Sequence, residues 1–266
     1  MTHPTRSFDH AGASVLVFGD AHAAGVAAAV AIASAIRSAV AARGKAVLGL
    51  ATGATPEPVY AALVEMYRSA GLSFAEVSTY NLDEYYPMGP LDLQSYRSYM
   101  HRHLFGHVDL AANRAHILDG TVPEAFAARH AADFDRWIWA DGGLDLQLLG
   151  VGRNGHIGFN EPVDLPTGEA LSLPTRMVDL HPTTRADAGK DFGGEDLVPR
   201  RALTMGIAPI LAARSILVLA FGPSKADAVA RSLSGPVTST VPGSLLRSAP
   251  GRVTWMIDEA AAAGLG

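Results

Sequence analysis

Apolar positions fall into short runs separated by longer stretches of mixed polarity, a pattern that predicts strands alternating with helices. Ser14-Val-Leu-Val-Phe18 reads as a strand ended by Gly19, and Asp20 caps an alanine-rich helix that stops at Gly44. Ala46 to Ala51 is a second strand, followed by the turn Thr52-Gly-Ala-Thr-Pro56 and a helix from about Glu57 to Ser69, closed by Gly71. Val77 to Leu82 is a third strand, delivering Asp83, Glu84, Tyr85 and Tyr86 at its end. A helix from Ser95 to about Gly106 follows, then an amphipathic one from Pro123 to Ala140 with Phe126, Phe134, Trp137 and Ile138 for packing. Leu144 to Leu149 is another short buried strand.

Beyond Pro162 clear periodicity is lost until about Ala202. Thr204-Met-Gly206 then leads into a short helical piece, and Ser215 to Ala220 is a strand that turns at Phe221-Gly-Pro-Ser-Lys225. A helix from Ala226 to Leu233 and a strand from Val253 to Ile257 complete the order. Such alternation predicts an α/β fold: a doubly wound, mostly parallel, Rossmann-like sheet with helices on both faces. One domain over residues 1–266 is expected, with about 163–200 a lid-like insertion, because connections this long are usually functional.

Composition removes several alternatives. A hydrophobic fraction of 48% supplies a core, and a net charge of −5 without a basic block argues against nucleic acid as partner. The absence of cysteine excludes disulfides, thiolate catalysis and cysteine metal sites. The first ten residues lack the apolar core of a signal peptide, and the run from Ala23 to Ile36 reads as too short and alanine-dominated to span a bilayer. A soluble, cytoplasmic protein without a membrane partner is expected.

Candidate chemistry collects at the carboxyl ends of strands, where open α/β sheets deliver their ligands. The turn from Gly150 carries four glycines within nine residues, together with Asn154, His156, Asn160 and Glu161. His156 and Glu161 are expected to form one half of an active site and Asp83 the other, since an acid at a strand end sits where catalytic groups belong. Gly150-x-Gly152-x-x-Gly155 spells the dinucleotide fingerprint, but Gly158 and Pro162 stand where its helix should open, so no nucleotide cofactor is expected. Strand, Thr52–Pro56 turn and helix make either a phosphate cradle or an ordinary capped βα turn, and both readings stay open here. Lys225 stands at a second helix start, and Arg176, Arg185 and Lys190 lie on the long segment within reach of an anion. His103 and His107 have metal-pair spacing but no third ligand nearby, so a polar helix face is the better reading and no metal is expected.

Leu50-Ala-Thr-Gly-Ala-Thr-Pro56, Asn81-Leu-Asp-Glu-Tyr85 and Gly150-Val-Gly-Arg-Asn-Gly-His-Ile-Gly-Phe-Asn-Glu-Pro162 together resemble the glucosamine-6-phosphate deaminase (isomerase) family. Ser95-Tyr with Met100-His-Arg, Leu203-Thr-Met-Gly206 and Gly222-Pro-Ser-Lys-Ala226 keep that family's order, and the likeness runs from about residue 46 to the C-terminus. The resemblance implies conversion of glucosamine 6-phosphate and water to fructose 6-phosphate and ammonia, without metal or nucleotide. It makes Asp83 the base that moves a proton between C2 and C1, and gives His156 the ring-opening role with Glu161 and Asn154 as its partners. Thr52, Gly53, Ala54, Thr55, Lys225 and Lys190 would hold the phosphate, with Glu84 and Gly152 in support. The partner is then an amino-sugar phosphate; a homo-oligomer is admissible, since such enzymes occur in more than one state.

Two departures stand out. The best-known members carry aspartate where this chain has Asn154, and asparagine is expected to hydrogen-bond the imidazole without stabilising imidazolium charge as a carboxylate would. That implies a shifted pH profile. Lys190 falls where arginine is common, keeping the charge but losing the bidentate fork. The segment after Pro162 differs from that of allosterically regulated members, so activation by N-acetylglucosamine 6-phosphate is not expected. Galactosamine 6-phosphate as substrate, a 6-phosphogluconolactonase and a non-catalytic sugar-phosphate sensor are the competing readings.

Overall fold

Strands that read as unbroken apolar runs are the ones buried on both faces, as a parallel sheet covered by helices requires. The computed structural model describes residues 3–265. In its first half β1 (Arg6–His10), β2 (Ala13–Phe18), α1 (Ala21–Arg43), β3 (Ala46–Leu50), α2 (Glu57–Ala70) and β4 (Val77–Asn81) are followed by β5 (Asp83–Tyr86), α3 (Tyr96–His103), β6 (Ala115–His116) and α4 (Glu124–Ala140). The second half holds β7 (Leu146–Gly150), α5 (Thr167–Leu171), β8 (Arg176–Asp179), α6 (Pro182–Phe192) and β9 (Arg201–Thr204). It ends with α7 (Ile207–Leu211), β10 (Ile216–Ala220), α8 (Ala226–Ser234) and β11 (Val253–Asp258).

Eight strands form one sheet in the order β1-β2-β11-β10-β7-β3-β4-β6, and only the β1–β2 pair is antiparallel. The chain moves outward from β3 through β4 to β6, then returns to lay β7 on the other side of β3 before continuing to β10 and β11. Neighbouring β3 and β7 therefore send their connections in opposite directions, which opens a crevice at their carboxyl ends.

A second, three-stranded antiparallel sheet, β5-β9-β8, was not expected from the sequence. Asp-Glu-Tyr-Tyr is a strand in this sheet and not the acidic end of β4. The long segment after Pro162 likewise contains α5, β8 and α6. Its order escaped notice because β8 has three half-exposed residues and one exposed, and α6 buries only Thr184 and Gly189, so neither shows an apolar period.

At 23 residues α1 is longer than the run read from sequence and is long enough to cross a bilayer, with a mean hydropathy of 1.7 over its most apolar window. One face is nevertheless core: Ala24, Ala28, Ile32 and Ile36 are buried between the sheet and α2. Asp20 accepts from Ala23 N at 2.7 Å to start the helix, and Gly44 ends it in the left-handed region. Gly25 sets how closely the two helices approach, since a Cβ there would stand 2.6 Å from Pro58 Cβ. Gly25→Ala should therefore destabilise the protein by about 1–3 kcal/mol through overpacking, even though alanine gains about 1 kcal/mol of helix propensity. Denaturant unfolding measures it, and a stabilised variant would contradict the packing argument.

Candidate active site

A cavity of about 570 Å³ occupies the crevice between β3 and β7. Thr52, Gly53, Ala54 and Thr55 line it from the loop after β3, and Asp83 from the first residue of β5. Gly152 and His156 enter from the turn after β7, Lys190 from α6, and Lys225 from the start of α8. Asn154, Glu161 and Glu84 stand behind these groups. No helix opens after Gly155, in keeping with the reading that set the dinucleotide fingerprint aside.

The turn has the shape its glycines permit. Gly155 and Gly158 take φ of +93° and +55°, a region costly for other residues. A Cβ on Gly152 would lie 2.2 Å from His156 Cε1, so the imidazole rests directly on that backbone. His156 Nδ1 is 3.3 Å from Glu161 Oε2 and 3.2 Å from Thr184 Oγ1 on α6. Asn154 does not bond the imidazole as expected from sequence. Its Oδ1 accepts from the His156 backbone N–H at 3.1 Å, which turns Nδ2 to donate to Glu161 Oε2 at 3.0 Å. The other Glu161 oxygen accepts from His181 N at 3.3 Å. Burial alone would raise the Glu161 carboxyl, but the bonds from His156, Thr184 and Asn154 outweigh it and hold the group below its usual range.

The two acids of β5 meet opposite environments. Glu84 is buried and accepts backbone N–H bonds from Tyr85 and Tyr96 at 3.0 Å and from Arg97 at 3.2 Å, so it ties β5 to the first turn of α3. Burial still prevails over those three bonds and pushes its pKa up to about 7. Asp83 is also buried, and among the described residues its carboxyl accepts no hydrogen bond. Burial first, and then the neighbouring Glu84 charge, raise it well above the usual carboxylate range. Its Oδ2 lies over Gly158, 3.3 Å from where a Cβ would stand.

In the loop after β3, none of the four backbone N–H groups from Thr52 to Thr55 donates to a backbone carbonyl among the described residues. Tyr99 OH holds the Gly53 carbonyl at 2.7 Å, and α2 begins immediately beyond. Free N–H groups before a helix start make an anion-binding concavity. Lys225, half-buried, lines the same cavity: burial pulls its pKa down, Asp187 raises it, and Arg153 lowers it. Arg176 and Arg185 do not line the cavity, contrary to their reading as anion contacts. Arg176 donates to Asn160 Oδ1 at 2.8 Å beneath the turn, and Arg185 to Glu195 O at 2.9 Å. His103 stacks on Tyr99 and His107 bonds the Arg102 carbonyl, while no cluster of three or more metal-ligating side chains occurs among the described residues.

Sequence reasoning missed Thr184, His181 and the Arg153–Asp187 ion pair. Arg153 stood within the motif without a partner to give it meaning, and the other three lie in the segment without visible period.

Glu84 generates a pH prediction. Its folded pKa of about 7 lies above the ordinary value near 4.5, so its stabilising balance is present below that value and is lost as pH rises towards 7. The upper limit of that loss is on the order of 3 kcal/mol. Urea unfolding from pH ~4.5 to ~7 should show wild-type stability falling relative to Glu84→Gln; parallel curves would contradict the assignment.

Comparison with known proteins places this geometry. The profile described as glucosamine-6-phosphate isomerases/6-phosphogluconolactonase matches residues 19–159. A glucosamine-6-phosphate deaminase of Rhodopirellula baltica is 50% identical over 216 residues, covering 81% of this chain and 83% of that one. A solved structure described as a monomeric glucosamine-6-phosphate deaminase superposes with a TM-score of 0.87 at 37% identity, over 94% of this chain and 99% of that one. The 6-phosphogluconolactonase of Trypanosoma brucei has a TM-score of 0.76 at 19% identity, over 95% and 98% of the two chains, which shows a shared fold alone. With a carboxylate and an imidazole at the β3–β7 crevice, a matching family profile, and 50% identity to a deaminase over 216 residues, this chain belongs to the glucosamine-6-phosphate isomerase/6-phosphogluconolactonase family.

Proposed function

We propose that this protein converts glucosamine 6-phosphate and water to fructose 6-phosphate and ammonia. The observation that carries the reading is one cavity lined by a donor-free carboxylate and an imidazole together with unpaired backbone N–H groups and Lys225. A sugar phosphate needs both sets of groups. The phosphate is a remote handle whose binding energy orients the reacting carbons.

His156 shuttles the proton that opens the pyranose, taking it from the C1 hydroxyl and returning one to the ring oxygen. Glu161 fixes the imidazole through Nδ1 and balances its charge when protonated. Asp83 then removes the C2 proton of the open chain and delivers it to C1, giving an imine at C2 that water hydrolyses to the ketose and ammonia. A base for carbon acids works best with a raised pKa, which burial and Glu84 supply. The lactonase alternative leaves Asp83 without a task, because hydrolysing a lactone moves no C2 proton. Glucosamine over galactosamine rests on the similar deaminases. Residues 163–200, which include α6 over the cavity, act as the lid, and a cytoplasmic setting completes the reading.

Purified protein given glucosamine 6-phosphate should release ammonia and ketose phosphate in equal amounts, and exchange solvent deuterium into the sugar. Asp83→Asn should abolish the exchange by a factor of roughly 10³ or more while phosphate binding persists; retained exchange removes Asp83 from its role. Because Asp83 must be ionised, kcat/KM falls as pH drops through its raised pKa. Asn154→Asp sets a second carboxylate against Glu161 Oε2, which raises the pH at which Glu161 ionises. The acid limb of kcat/KM, set by Asp83 in wild type, should therefore steepen as Glu161 joins it, with the maximum rate largely kept. An unchanged limb would show that Asn154 has no electrostatic part.

A further inference from the structure

One carboxylate is out of place in a cavity that accepts a dianion. Asp187 on α6 lines it and forms a forked ion pair with Arg153, Arg153 Nε lying 2.9 Å from Asp187 Oδ2 and Nη2 bonding Oδ1. Asp191, one turn further, also lines the cavity but makes no ion pair among the described residues. Arg153 follows Gly152 directly and lines the same wall as Lys225. Both partners are about half exposed, so solvent and ions reach the pair.

The pair is also one of three contacts by which α6 docks on the turn. His181 N meets Glu161, Thr184 meets His156 Nδ1, and Asp187 meets Arg153, at intervals of three residues along one helix face. All three are polar. The apolar anchors of α6 are Ala188 and Phe192, which pack with Leu180, just ahead of the helix, in the cluster around Tyr85. The face of α6 that meets the turn is thus held by polar contacts that another partner can exchange.

We propose that Arg153 is a phosphate-binding, specificity-determining residue held in reserve by Asp187: the phosphate takes the guanidinium fork from Asp187, and the exchange couples substrate binding to the docking of α6. An arginine fork suits phosphate as well as carboxylate, and a phosphate dianion carries the greater charge. Arg153 thereby supplies the bidentate contact that Lys190 cannot make. The proposal rests on the sugar-phosphate reading of the cavity.

Calorimetric titration with inorganic phosphate at fixed ionic strength tests it on wild type, Asp187→Asn, Arg153→Gln and the double variant. Removing a half-exposed competitor should tighten phosphate about two- to fivefold in Asp187→Asn. Arg153→Gln should weaken it about tenfold or more, and Asp187→Asn should tighten phosphate less in the Arg153→Gln background than in wild type, because Asp187 acts mainly through Arg153. With the sugar phosphate, Arg153→Gln should raise KM more than it lowers kcat. Asp187→Asn binding phosphate no better than wild type, or Arg153→Gln binding it equally well, overturns the exchange while leaving the sugar-phosphate reading intact. A wild type that binds no phosphate overturns that reading, and the exchange with it.

Discussion

Two adjacent carboxylates inside a protein cannot share one environment, and the pleat of β5 keeps these apart. Alternate residues of a strand point to opposite faces, so Glu84 reaches three N–H groups at the start of α3 while Asp83 faces the cavity without a donor. Had the chain continued β4 unbroken, these positions would have stayed in the parallel ladder. Instead Leu82 makes the transition: its N–H bonds Leu50 O at 3.0 Å, and its carbonyl accepts from Met205 N at 2.6 Å. Asp83 then pairs with Thr204 and Glu84 with Leu203 in the smaller sheet. The second sheet is thus the device that aims one acid and neutralises the demands of the other.

The glycine turn imposes the complementary constraint. His156 can rest on Gly152 only because no side chain stands there, and Glu161 and Thr184 hold the imidazole while Asn154 holds Glu161. Thr204 Oγ1 joins the two halves, accepting from Phe159 N at 3.0 Å while pairing with Asp83 across the small sheet. Acid and imidazole are therefore held by one connected set of contacts, which limits how far either can drift. Such support from surrounding residues is what maintains a reactive geometry.

The main sheet was legible because burial on both faces leaves a signature in composition: Leu48, Leu50, Leu148 and Val218 sit in runs that only a buried strand explains. The ends of β3, β7 and β10 were legible for the same reason, and with them the positions of Thr52, His156 and Lys225 beyond those strands, whereas Asp83 opens a strand of the second sheet. What could not be read is whatever depends on polar contact across large separations. Arg153 and Asp187 stand 34 positions apart, and neither residue type announces its partner. α6 carries Phe192 as its one large apolar side chain, too little to show a period. Asn154 lay in a recognisable motif, yet its direction is set by the backbone of His156, a relation visible only once the turn is folded.

The cavity's charge has a consequence for selectivity. Lys225 is held in surroundings that disfavour its cation, and Arg153 adds to the pressure. A neutral sugar does nothing to relieve that cost. A phosphate does, since an opposite charge within a few ångströms favours the ionised lysine and does so more strongly where water is scarce. Part of the affinity for phosphate therefore comes from relieving an unfavourable arrangement already present in the fold, through a group remote from the reacting carbons. The same kind of desolvation that burdens Lys225 raises Asp83. Local burial thus prepares the anchor and the base by one physical cause, and exposing either group to water would weaken it.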